Sequence, residues 1–257
     1  MRPLVLALAV LLAGCTAGEP AAVTTPAGGP PVDFPVDAAP RPVVLIGEAL
    51  NAEDGLRDGD RLDAAFEFAG QHPPTPAPAE VALPGRIPAT MPMIGSADAV
   101  RAMSRGTGDP VRLVSAEFGM SGYATDRGLR SLPAWRFTTE AGSVPAWPAL
   151  EPGTFWKLGE VRPATVREPA RVVGERLSVT TQAPPAACRG DSPARHVPVI
   201  RETDSTITVG LHPRGHVGDC RRNLAILTEV HEVTLKKPLG NRLLLDGDGG
   251  VIAATRM

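Results

Sequence analysis

The chain reads as a mainly β protein with a few short helices. The expected head is an α+β body of antiparallel, sandwich-like sheets behind a disordered N-terminal tether. Three observations predict this. From Val111 onward, runs alternating bulky apolar with polar residues recur between Gly, Pro and Asp turns. Only two short segments, near residues 61–69 and 96–103, carry helical spacing. Thr16 to Pro40 holds six prolines and only three charges, too little apolar surface to offset chain ordering.

The first residues set the compartment. Arg2 supplies a positive start and Pro3 to Leu12 an apolar run, too short to cross a bilayer, which needs about 20 residues. Leu12-Ala13-Gly14-Cys15 resembles a bacterial lipobox, in which the thiol is lipidated and the signal removed. Residues 1–14 are therefore expected to be a lipoprotein signal peptide. Residues 15–40 are expected to be lipidated Cys15 and a Pro/Ala-rich linker reaching up to about 75 Å, at about 3.1 Å per residue. The expected location is the extracytoplasmic face of the cell membrane, held by lipid; the alternative is an ordinary secretory signal.

Composition bounds the partners. The formal net charge of −2 becomes −3 once Arg2 leaves with the signal, and no basic run is present. That balance argues against nucleic acid. Beyond the tether, two parts are expected, an α+β sub-domain over 41–170 and a disulfide-stapled β sub-domain over 171–257. With Cys15 assigned to lipid, Cys188 and Cys220 remain, and an even count in an exported chain favours a disulfide. Half of a metal site is the alternative, but neither CxxC nor paired-His spacing accompanies them.

The elements follow in order. Pro42-Val43-Val44-Leu45-Ile46 reads as a buried strand stopped by Gly47. Asp60 can cap a helix over Arg61–Ala69 with Leu62, Ala65, Phe66 and Ala69 on one face. Gln71–Pro84 reads as a loop, and Ser96–Met103 as a helix capped by Ser96. Val111–Phe118 and Ala134–Thr139 read as strands, with Phe155–Leu158 pairing alongside. Leu177–Thr181 opens a second run of strands. Val197–Arg201 and Thr206–Leu211 form a hairpin around Thr203-Asp204. Leu224–Lys236 favours β structure, and Arg242–Leu245 pairs with Val251–Ala254 across an Asp/Gly turn.

Several segments in this order resemble a family of uncharacterised lipoproteins of actinobacterial cell envelopes. They are Pro42–Glu48, Thr125-Asp126-Arg127-Gly128, Leu132-Pro133-Ala134-Trp135-Arg136-Phe137, Cys188 with Cys220, and Val233-Thr234-Leu235 leading to Pro238-Leu239-Gly240-Asn241-Arg242 and Leu245-Asp246. The resemblance implies compartment and architecture. It transfers no catalytic residue.

Few residues stand in a pattern that carries chemistry. Seven of the ten aromatic residues lie between Phe118 and Trp156. They can form a stacking platform for a sugar or the core of a β domain. Trp135 and Phe137 share a strand face and are expected in the core. Trp147, between Pro145 and Pro148, is expected at the surface, and Arg136 is expected on the solvated face. His212 and His216 flank Pro213 and Gly215 in a turn, where a zinc site would need a third ligand, with His196 the nearest candidate. An exposed hairpin loop is the simpler reading, so no metal is expected.

His231-Glu232 opens like a zincin helix, but Leu235 stands where the second histidine belongs. Gly119-Met120-Ser121-Gly122-Tyr123 approaches a nucleophile elbow and ends in tyrosine instead of glycine. Asp246–Gly250 lacks the later glutamate of a calcium loop, and the acidic residues around Asp58–Glu67 are explained by helix capping. No phosphate-cradling glycine loop occurs, so no cofactor is expected.

The expected function is a non-catalytic envelope module that binds a wall component, a small ligand or an envelope protein. Its candidate surface comprises Trp147, Arg136, His212 and His216, with no catalytic residue. The alternatives are a lipid-anchored hydrolase without a recognisable motif, and a structural wall spacer.

Overall fold

The computed structural model describes residues 32–82, 88–165, 168–216, 218–221 and 227–256. Among the described residues strands hold 43 % and helix 5 %, with one α-helix, so the mainly β expectation holds.

The first half is organised by one long hairpin. Strand β5 (Val111–Thr125) and β6 (Gly128–Thr139) pair antiparallel from Leu113↔Thr139 to Thr125↔Gly128, with a bulge between Leu113 and Ser115. The turn closes on Gly128, whose φ of +86° suits a residue without a Cβ. Around it lie β1 (Asn51–Ala52), β2 (Phe66–Phe68) and β7 (Pro145–Pro148), giving the order β1-β7-β6-β5-β2. A small ribbon of β3 (Ala79–Val81) with β4 (Ala89–Met91) and the helix α1 (Ser96–Met103) complete this half. Trp135, Phe137, Leu113, Leu132, Met91 and Met103 fill its core.

The second half packs two sheets face to face. One has the order β10-β11-β13, from β10 (Arg195–Glu202), β11 (Thr206–Arg214) and β13 (Leu243–Asp246). The other has the order β12-β9-β8-β14, from β8 (Ala170–Val173), β9 (Arg176–Gln182), β12 (Thr228–Thr234) and β14 (Ala254–Arg256). Ile207, Val209 and Leu244 from the first meet Val172, Leu177 and Val179 from the second. Neighbouring strands are mostly antiparallel, but β13 joins β11 and β14 joins β8 in parallel.

A third apolar cluster joins the halves. Val44 meets Leu243, Leu245 and Val251, with Phe34 and Val161 completing it. This corrects the expectation for the end of the linker. Phe34 is 2 % exposed, edges onto Trp156 at 5.5 Å, and carries the Arg41 guanidinium over its ring at 4.5 Å. Residues 32–40, expected in the tether, are packed into the fold because Val32, Phe34 and Val36 supply apolar contacts that the prolines around them concealed.

Other local expectations are corrected by tertiary contacts. The helix over Arg61–Ala69 is replaced by turns and β2, because the Asp60 carboxylate accepts from Thr139 Oγ1 at 2.6 Å rather than capping a helix. Phe68 then stacks edgewise on Phe137. Pro42–Ile46 makes isolated bridges to two different neighbours, Val43↔Phe155 and Leu45↔Thr125, instead of one strand. Residues 155–158 form that single bridge and turns. Helix α1 spans the expected residues, but its cap is Gly95, and the Ser96 hydroxyl meets His72 Nδ1 at 2.9 Å. The Leu245↔Val251 bridge is present, although the ladders of β13 and β14 run elsewhere. The segment 224–236 contains β12, and residues 224–226 lie outside the described residues.

Candidate functional site

The structure does not bring Trp147, Arg136, His212 and His216 together. Trp147 pairs with Trp135 and is 3 % exposed, with the Arg105 guanidinium 5.6 Å above its ring. Its flanking prolines do not expose it, because β7 lies between β1 and β6 and both faces of the strand are covered. Arg136 pairs with Ala146, one position along, and so points to the opposite face of the sheet. There its Nε donates to Glu53 at 2.8 Å and its Nη1 lies 3.5 Å from Glu117. The hydrogen bond to Glu53 holds the guanidinium above its ordinary pKa. His212 is within β11, opposite Val197, in the other half of the chain. His216 is exposed beyond the end of that strand. Cys15 lies outside the described residues.

Cys188 and Cys220, 32 positions apart in the chain, form a disulfide with Cα atoms 6.0 Å apart. The bridge ties the segment after β9 to the segment after β11. Between these segments lies a cleft of about 340 Å³, lined by Thr181, Gln182, Pro184, His196, Leu211 and Pro213 among others. Alternation chooses its residues: His196 faces Pro213 across the β10–β11 ladder, so both present to the cleft while His212 and Val197 turn away.

Behind the cleft runs a polar chain that crosses between the two sheets. His196 Nδ1 lies 3.0 Å from Glu229 Oε1. His231 Nε2 lies 3.2 Å from the same oxygen and 3.1 Å from Thr181 Oγ1. His231 is 9 % exposed, and of this chain only Thr181 and His196 line the cleft. A nucleophilic relay needs one imidazole nitrogen on the hydroxyl and the other on the acid. Here the carboxylate and the hydroxyl share one nitrogen, so Thr181 is not arranged as an activated nucleophile. Among the described residues no group of three or more His, Cys, Asp or Glu side chains is arranged to hold a metal ion.

Sequence reading missed the cleft because its parts are far apart. His196, Thr181, Leu211 and Glu229 come from four strands in two sheets. The available signal was the period-two pattern of β10, which alternates exposed and half-buried positions and places His196 with Pro198 and Ile200 on the more covered side.

Two of the short motifs, Thr125–Gly128 and Pro238–Arg242, meet at the junction of the halves. Asp126, 2 % exposed, takes Arg41 Nη2 at 2.5 Å and Arg127 Nη1 at 3.4 Å. Arg127 Nη2 donates to the carbonyls of Gly240 and Arg242, both at 2.9 Å, and Arg41 Nε donates to the Asn241 carbonyl at 3.0 Å. Desolvation of this guanidinium, opposed by Asp126, lowers the Arg127 pKa to about 10. Arg242 donates onward to Glu202 Oε2 at 2.9 Å and to the carbonyls of Lys237 and Pro238. Backbone carbonyls and two carboxylates, Asp126 and Glu202, consume these donors, so the cluster is a joint between halves. No family model matches the chain, and neither a curated protein nor a solved structure shows significant similarity to it.

Proposed function

We propose that the protein is a non-catalytic binding module, anchored through lipidated Cys15 at the extracytoplasmic face of the membrane. Its ligand, a component of the cell wall, occupies the cleft at His196. The observation that carries the binding half of this reading is the cleft itself. Its volume of about 340 Å³ is within the range of small-ligand sites, and its lining is mainly apolar with a few polar groups. The disulfide braces both walls, and His231 and Glu229 back His196 from behind. A pre-braced cleft loses little entropy when a ligand orders it. The relay geometry described above supports binding over hydrolysis. The anchoring half rests on Leu12-Ala13-Gly14-Cys15.

Two measurements test the reading. Co-sedimentation of the full chain with purified cell-wall sacculi should weaken about tenfold in Leu211→Trp, which fills the cleft, a change of about 1.4 kcal/mol. Equal retention of both proteins counts against the cleft. Cys15→Ala should move the protein from the membrane fraction to the soluble fraction, and unchanged partitioning counts against the anchor.

A further inference from the structure

The first sheet leaves one strand edge open. β5 pairs with β2 only over Val111–Leu113, and at its far end the segment around Leu45 bridges Thr125. Between these closures no described strand pairs with the edge of β5 from Ser115 to Ser121. Hydrogen bonds fix which groups face outward. On the open side the Ala124 carbonyl accepts from the Ile46 amide, and the Leu113 carbonyl accepts from the Ala69 amide. The bulge after Leu113 shifts the alternation by one, so both ends agree that Ala116, Phe118 and Met120 aim their N–H and C=O groups outward.

Natural edge strands are usually blocked by Lys, Pro or an inward charge. The stretch Val114-Ser115-Ala116-Glu117-Phe118-Gly119-Met120-Ser121 has neither Lys nor Pro. Its single charge, Glu117, lies 3.5 Å from Arg136 of the neighbouring strand. Val114 is 50 %, Phe118 40 % and Met120 55 % exposed.

We propose that a second copy of this chain occupies the edge, the two β5 strands pairing antiparallel about a two-fold axis through Phe118. The register follows from the outward groups. Phe118 then faces Phe118 of the partner subunit, and Ala116 faces the partner's Met120. Each of these pairs exchanges both of its N–H···O bonds. Side chains complement each other in the same register. A small residue meets a large one at Ala116 against Met120, and the two Phe118 rings form a cross-strand aromatic pair.

The remaining facing pair is sterically open. Glu117 of the partner subunit faces Gly119, which has no side chain to obstruct it. The Arg136 Cδ lies 3.3 Å from where a Cβ at Gly119 would stand, so that carboxylate arrives beside the Arg136 side chain. The pairing is isologous, as a closed dimer requires.

Sedimentation equilibrium of the full chain, carrying Cys15→Ala to remove the lipid, tests this. The expected result is twice the mass of one chain. Phe118→Lys sets two cations opposite each other on the axis and should give single-chain mass. Leu129→Lys, on the exposed hairpin end away from the edge, should keep the doubled mass. Hydrogen exchange at the Ala116, Phe118 and Met120 amides of the Cys15→Ala chain supplies a second reading. Their exchange should slow at least tenfold as protein concentration rises through the association range. Single-chain mass at every concentration, doubled mass in Phe118→Lys, or concentration-independent exchange would each overturn the proposal. So would loss of the dimer in Leu129→Lys.

Discussion

Arg127, in the turn between β5 and β6, donates to the carbonyl of Arg242, 115 positions later, at 2.9 Å. This bond joins the two halves through their most recognisable short motifs, Thr125–Gly128 and Pro238–Arg242. Beside it, Asp126 is the carboxylate shared by Arg41 and Arg127.

Asp126→Ala should therefore be costly. Removing one partner leaves two buried guanidinium groups without their carboxylate, a situation that typically costs about 3–5 kcal/mol. The midpoint of urea unfolding should fall accordingly, with tryptophan fluorescence as the readout. A loss below about 1 kcal/mol would contradict the role assigned to this joint.

The N-terminal strap gives a second expectation. Phe34→Ala removes a ring buried against Trp156 and Arg41, and such truncations cost about 3 kcal/mol or more. A chain beginning at Val32 should keep full stability, whereas one beginning at Pro42 should lose it. Equal melting temperatures for the two truncations would show that the strap contributes nothing.

Acid stability is the third. Partial burial raises the Glu202 pKa, but the Lys236 amide at 2.7 Å and the Arg242 guanidinium outweigh it and leave the carboxyl below its ordinary value of 4.5. A carboxylate depressed in the folded state stabilises at pH values above its unfolded pKa. That contribution fades as pH falls from about 4.5 through the folded value. Glu202→Gln should cost about 2 kcal/mol at pH 7, as expected for hydrogen bonds to a charged group. It should also flatten the decline of stability below pH 4.5. Parallel acid limbs in both proteins would contradict this assignment.

Much of the fold was legible along the chain because it depends on local pattern. β9, the β10–β11 hairpin and helix α1 follow periodicity and turn chemistry, which act between near neighbours. The failures share a cause. The acceptor at Asp60 was committed to Thr139, 79 positions away, so the helix it could have capped did not form. Trp147 looked exposed between prolines but lies in a strand covered on both faces.

What the sequence determined by itself was the β-rich class, the strands β9 to β12 and the pairing of Cys188 with Cys220, since alternation and residue chemistry are written locally. Only the tertiary structure decided that Phe34 belongs to the core, that Asp126 sits between two arginines, and that His196 rather than His212 faces the cleft. Those outcomes depend on which strands become neighbours and which faces they cover. Such choices are settled by burial across long chain separations, where a local pattern carries no record of its partner.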